Sequence, residues 1–311
     1  MAARWSPAHA PYPALTLALF YRRWKALLPR IERILERVKK RPQGDAGDET
    51  EADTRSAWAF RWRDGRLQPI EHPDLYPLEG LIGVERSVAR LRTNLMAFTS
   101  GAPALDTLLY GERGTGKSSA VRGLLREFGP LGLRLVEVRR DDLRQLPSIY
   151  RSLRGRTERF ALVCDDLSFE EVDTTYIELK AVLDGGLEAR PPNVLILATS
   201  NRRHLIPERM WENLEATHGP GGELHPGETS QEKISLSDRF GLLLPFLGFD
   251  QVTYLRIVEY HARELGLWGK LSDTELNERA LRFALVRGSR SGRTARHACI
   301  AILQGLEGQP P

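Results

Sequence analysis

Gly111, Gly116, Lys117 and Ser118 stand at the spacing G-x-x-x-x-G-K-[ST]. That spacing suits the cradling of phosphate groups. Glycines let backbone amides turn inward with no Cβ in the way. Those amides and the N-terminus of a following helix present donors to phosphate oxygens. In such a loop Lys117 reaches β- and γ-phosphates, and the Ser118 hydroxyl holds Mg²⁺. Residues 160–166 read FALVCDD, five apolar or small residues that end in two acids. Asp165 is placed to hold Mg²⁺ through water and Asp166 to orient an attacking water. Residues 193–200 (NVLILATS) are a second apolar run, with Asn201 at its tip. A polar side chain there can touch the γ-phosphate or the attacking water.

These side chains need elements to aim them. The apolar stretch 105–111 enters the glycine loop as a strand, and 119–128 continues from it as a helix that Gly129-Pro130 ends. A second strand follows at 133–138. Asp141 or Asp142 can cap the next helix, which runs to about residue 153. The runs 160–166 and 193–200 read as buried parallel strands, with a helix over 170–184 between them. Alternating strands and helices across 105–201 predict an α/β fold whose parallel sheet is covered on both faces.

The flanks are less regular. Residues 12–41 look helical, with Ile31, Ile34, Leu35 and Val38 on one face and Pro29 dividing the region. Residues 1–44 carry ten Lys/Arg against two Asp/Glu. This basic arm suits either a solvated helical face or an acidic or nucleic-acid partner. An acidic linker spans 42–54. In 57–70, Trp58, Phe60 and Trp62 alternate along one strand face before the turn pair Asp64-Gly65. That face is either buried or, with Arg61 and Arg63, a base-stacking platform. Residues 80–100 begin with Leu81, Ile82, Gly83 and Val84 and then turn helical. Residues 215–232 read as a loop, and His204, His218 and His225 lack metal-ligand spacing. Helices are predicted at 250–266, 272–286 and 293–306. Arg287, Arg290, Arg293 and Arg296 fall at i+3 steps, the spacing of one helix face.

The bulk numbers allow one large or two modest domains: 311 residues, 41% hydrophobic and 28% charged. No apolar run approaches the ~20 residues that span a bilayer, and the run at 14–20 does not read as a secretory signal. The two cysteines, Cys164 and Cys299, read as buried small hydrophobes in a reducing compartment, so a cytoplasmic location is expected.

Across 80–306 these motifs resemble the AAA+ branch of P-loop ATPases. GERGTGKSS resembles its Walker A loop, which implies nucleotide contacts from Gly111, Gly114, Thr115, Gly116, Lys117, Ser118 and Ser119. LVCDD resembles Walker B, with Ser118 and Asp165 as the implied Mg²⁺ ligands. The usual second acid is Glu; Asp166 is one methylene shorter, which implies slower turnover. ATSNR resembles sensor 1, which falls on Asn201, and LSDRFG the segment of the arginine finger, which falls on Arg239. GSRSGR is similar to the sensor 2 segment of a helical lid, on Arg290 or Arg293. LIGVE resembles the adenine-side segment, on Ile82 and Gly83. The runs ATSNRRHLIPE and EKISLSDRFG resemble one bacterial AAA+ family that bears a domain-of-unknown-function label.

The resemblance implies a five-stranded parallel sheet between helices over 80–248 and a helical lid over 249–311. It leaves an N-terminal arm (1–41), the acidic linker (42–54) and a β-hairpin extension (55–79). It also implies ATP and Mg²⁺ as ligands, ATP hydrolysis, and a homo-oligomer in which Arg239 reaches a neighbour's γ-phosphate. Remodelling of a protein or nucleic-acid partner is the leading expectation. A slowly hydrolysing DNA-binding switch or loader is the alternative, motivated by Asp166 and the basic stretches 22–41 and 139–159. A small-molecule kinase is a third reading, opposed by the lid. Residues 139–156 lack the aromatic–aliphatic–glycine tripeptide of threading unfoldases, which argues against processive threading.

Overall fold

Val194–Ser200 is buried along its whole length, as a strand inside a sheet covered on both faces must be. Val194, Ile196 and Ala198 join one apolar cluster with Phe60 and Leu162. Leu195 and Leu197 join another with Leu109 and Leu124. Two layers of side chains thus sandwich the strand. The computed structural model describes residues 54–55, 57–168, 179–180, 183, 189–202 and 236–306, all within the unit Glu51–Pro311. The expected arm 1–41, most of the linker 42–54 and of the helix 170–184, the loop 215–232, and His204, His218 and His225 lie outside the described residues.

Among the described residues, seven strands form one sheet: β1 (Ala59–Arg63), β2 (Arg66–Pro69), β3 (Thr107–Gly111), β4 (Leu133–Glu137), β5 (Arg159–Cys164), β6 (Val194–Ser200) and β7 (Leu242–Phe246). Their order is β2-β1-β4-β5-β6-β3-β7. Every pairing is parallel except β1 with β2. The run β4-β5-β6-β3-β7 is the five-stranded parallel core expected of an AAA+ P-loop NTPase fold, with the loop-bearing β3 between β6 and β7. All five strands point the same way, so the loop after β3 shares an edge of the sheet with the ends of β5 and β6.

The hairpin widens that core. Asp64 (φ 53°) and Gly65 (φ 74°) form the tight reversal between β1 and β2, and β1 pairs with β4 from Ala59 opposite Leu135 to Arg61 opposite Glu137. Of the two readings of its aromatics, burial is the one observed. Phe60 and Trp62 are buried, and Trp62 Nε1 donates to Gln145 Oε1 at 2.8 Å. Trp58 instead lies where a Cβ on Gly129 would be. Arg61 pairs with Glu137 at 2.8 Å.

Helices α1 (Glu85–Thr99) and α2 (Lys117–Phe128) cover one face of the sheet through Val88, Leu91, Leu95, Leu124 and Phe128. Helix α3 (Leu146–Leu153) covers the other through Leu146, Ile149 and Leu153. Neither Asp141 nor Asp142 caps α3. Arg140–Gln145 forms a 3₁₀ helix first, and Asp142 Oδ1 accepts from Gln145 Nε2 at 3.0 Å. Pro147 opens α3 without an N–H that needs a cap.

Helices α4 (Gln251–Glu264), α5 (Asp273–Arg287) and α6 (Gly292–Gln304) enclose a third apolar cluster. Asp250, Ser272 and Ser291 cap them by accepting from Thr253, Glu275 and Thr294 amides. The four arginines at i+3 steps do not share one helix face. Arg287 ends α5, Arg290 lies in the turn, and Arg293 and Arg296 belong to α6. Gly288 at φ 63° ends α5 and the Ser291 cap starts a new helix, so the periodicity is cut at its middle. No helix among the described residues is long and apolar enough to cross a membrane. Cys164 and Cys299 are free and buried.

Candidate nucleotide site

The loop begins where β3 pairs with β7. Gly111 has φ 138°, and a Cβ there would meet the Phe246 carbonyl oxygen at 2.1 Å. Only glycine lets the two backbones approach so closely. Gly114 (φ 77°) and Gly116 (φ 102°) continue the turn. Thr115 Oγ1 donates to the Glu112 carbonyl at 2.8 Å and braces it. Gly116 is the N-cap of α2 and supplies no side-chain cap. The first-turn amides of that helix have no intrahelical acceptors, which makes them donors for an anion.

Lys117 is 7% exposed. Its Nζ donates to the carbonyls of Gly111 (2.8 Å) and Glu112 (2.6 Å) and to Asn201 Oδ1 (3.1 Å). Burial pulls its pKa below the usual lysine range; Asp166 and Asp165 oppose that, and Arg113 and Arg293 add to it. A buried ammonium opposed by two arginines is poised for added negative charge.

Across the loop, Ser118 Oγ donates to Asp165 Oδ1 at 2.8 Å. Asn201 Nδ2 donates to Asp166 Oδ1. Asn201 therefore bridges Lys117 and Asp166. The structure brings Lys117, Ser118, Asp165, Asp166 and Asn201 into one hydrogen-bonded network. Ser119 Oγ accepts from Arg122 at 3.3 Å, one turn along α2. Thr199 also belongs to the network, although no sequence motif gave it a role. Its Oγ1 donates to Asp165 Oδ1 at 2.6 Å and accepts from the Asp166 N–H at 2.9 Å. A signal was present: Thr199 is a hydroxyl in an apolar strand, two residues before Asn201 and so on the same face.

The C-terminal helices meet the loop at Gly114. The N–H groups of Gly292 and Arg293 donate to the Gly114 carbonyl at 2.9 and 3.4 Å. Arg293 Cβ sits 3.3 Å from where a Cβ on Gly114 would be. Arg290 lies instead in a cleft of about 910 Å³, shared with Glu112, Phe249, Asp250 and Leu285. Ile82 packs against the lid cluster. A Cβ on Gly83 would meet Thr253 Cγ2 at 2.5 Å and the Phe249 ring at 3.1 Å. Arg239 is not brought to this edge. It precedes β7, whose first residue Leu242 pairs with Thr107. A five-residue strand, ~17 Å, separates that level from the loop.

The residues present fit a magnesium nucleotide. Ser118 and Asp165 supply hard oxygen ligands of the kind Mg²⁺ takes, next to an uncapped helix N-terminus and a buried lysine.

A family model described as "Protein of unknown function (DUF815)" matches residues 55–305. Solved structures are similar as well. The RuvB Holliday junction branch migration motor of Thermotoga maritima matches with a TM-score of 0.48 and 17% identity, over 73% of this chain and 64% of that one. The chain thus spans just under two thirds of the RuvB chain. The FIGL-1 AAA domain in complex with ADP matches with a TM-score of 0.47 and 16% identity, over 74% of this chain and 73% of that one. No curated protein matches.

Proposed function

The chain belongs to the family described as Protein of unknown function (DUF815), and from the geometry of its loop edge we propose that it is an AAA+ ATPase. It hydrolyses ATP to ADP and phosphate with Mg²⁺ and couples nucleotide state to remodelling of a partner. One observation carries this reading: Lys117, Asn201, Asp166, Thr199, Asp165 and Ser118 form a continuous chain of hydrogen bonds around the glycine loop.

In this reading the amides of 114–119 and the Lys117 ammonium bind the phosphates. Ser118 and Asp165 would hold Mg²⁺, which would supply charge neutralisation at the phosphates. Asp166 accepts a hydrogen bond from the attacking water and orients it. Asn201, released from Lys117, keeps Asp166 in place. Ile82 and Gly83 flank the base. Arg293, anchored over Gly114, is the better-placed lid arginine for the phosphates, and Arg290 lines the neighbouring cleft. Arg239, at the far level of β7, acts on the γ-phosphate of an adjacent subunit in a homo-oligomer. The two buried free thiols support a reducing, cytoplasmic setting.

Lys117→Ala removes the charge that meets the β- and γ-phosphates. Phosphate release from ATP should fall at least ~10²-fold, since this lysine acts only through charge and position. Undiminished hydrolysis by the purified variant would refute the assignment.

A further inference from the structure

We propose that Thr199 is a positioning residue for both acids of the site: its single hydroxyl aims Asp165 at Ser118 and holds the Asp166 backbone in its turn. The proposal rests on reading this edge as a magnesium-nucleotide site.

The β5–β6 ladder ends with Cys164 opposite Ala198. One residue farther on, Thr199 takes over from the ladder. Its carbonyl accepts from the Leu167 N–H at 2.7 Å, and its Oγ1 accepts from the Asp166 N–H at 2.9 Å. A hydroxyl has one proton to donate, and Thr199 spends it on Asp165 Oδ1 at 2.6 Å. At 1% exposure, water does not compete for these bonds. Ser118 also donates to Asp165 Oδ1. When Ser118 turns its oxygen toward a cation, Thr199 keeps the carboxylate where it was.

The same hydroxyl bears on Asp166, which sits at φ 52°. In that left-handed region Asp and Asn are enriched among non-glycine residues, because their short polar side chains bond locally. Glutamate has no such enrichment at positive φ. The Asp that departs from the Glu of the resemblance therefore matches the turn that Thr199 stabilises, and the turn sets Asp166 Oδ1 on Asn201.

The test uses the full chain with Thr199→Val, Thr199→Ser and Asp166→Glu. ADP binding is measured by calorimetry with and without Mg²⁺, beside the Mg²⁺ dependence of ATP hydrolysis. Thr199→Val should bind metal-free ADP as the parent does, need ~10–100-fold more Mg²⁺, and turn over ~10–100-fold more slowly, the usual cost of losing a residue behind a metal ligand. Thr199→Ser should stay within about threefold of the parent, because it keeps the hydroxyl. A normal Mg²⁺ response in Thr199→Val, or a serine variant as impaired as the valine one, would overturn the proposal. If Thr199→Val does not fold, Asp166→Glu decides. Turnover at least about threefold slower, with Mg–ADP affinity intact, supports a turn built for Asp; faster turnover overturns it. A parent chain that binds no ADP under either condition refutes the nucleotide site itself. One that binds, while Thr199→Val behaves normally, refutes only the role of Thr199.

Discussion

At the level of single residues, packing constrains the start of the loop most tightly at Gly111. Gly111 cannot carry a side chain, because the Phe246 carbonyl occupies the space of its Cβ and its φ is 138°. Gly132 also has a positive φ, 95°, but nothing lies within 4 Å of its Cβ position. Gly132→Ala should cost about 1 kcal/mol, the strain alone. Gly111→Ala should cost at least about 3 kcal/mol, because β3 and β7 must also move apart. Urea unfolding of the two variants checks the difference, and equal midpoints would contradict the close approach. Gly111, Lys117, Ser118, Asp165, Asp166 and Asn201 are legible in the sequence alone, since each lies in a short contiguous pattern. Thr199 leaves only a faint mark there, a hydroxyl in an apolar strand two residues before Asn201, since its contacts depend on which chain segment faces it.

At the level of elements, the three-helix lid carries its own pH sensitivity. His261 on α4 is 8% exposed, and its pKa drops from 6.5 to about 4, first through burial and then through Arg296. Between those values the unfolded chain binds more protons than the folded one. This stability is full above pH 6.5 and drains away as pH falls toward 4. The loss between pH 7 and pH 5 is about 2 kcal/mol. His261→Gln should flatten that part of the pH dependence, read as the urea midpoint at the two pH values. An unchanged slope would show that the imidazole is not the group being charged. The helices of this lid were legible from their periodicity, but the arginine pattern crossed a boundary that periodicity did not reveal. A glycine in the left-handed region and a serine cap outweigh i+3 spacing, because they decide where backbone hydrogen bonds stop.

For the whole molecule, the role proposed for Arg239 requires more than one chain. Strand register puts it at the opposite level of the sheet from its own loop. In that role, Arg239→Ala should lower ATP turnover at least ~10³-fold, the scale of an arginine finger, and Lys117→Ala at least ~10²-fold, each alone. Mixed together, they should regain activity, because interfaces with one intact loop and one intact arginine re-form. Phosphate release measured across mixing ratios checks this, and an additive baseline at every ratio would argue against action in trans. The parallel core was legible from its alternation of strands and helices. That the hairpin continues the same sheet was not, because parallel pairing of β1 with β4 joins residues more than seventy positions apart.

The sequence by itself determined what is local: a glycine loop running into a helix, strands apolar enough to be buried on both sides, acids at a strand end, and capped helices. Each follows from backbone freedom, side-chain period or the chemistry of neighbouring residues. The tertiary structure decided which of these meet. It seated Thr199 between the acids, set the Arg293 backbone on the Gly114 carbonyl and Arg290 in the cleft beside Glu112, and kept Arg239 at the other level of the sheet. Those outcomes depend on sheet order and register, which arise from packing the whole chain at once and leave no mark on any short stretch of it.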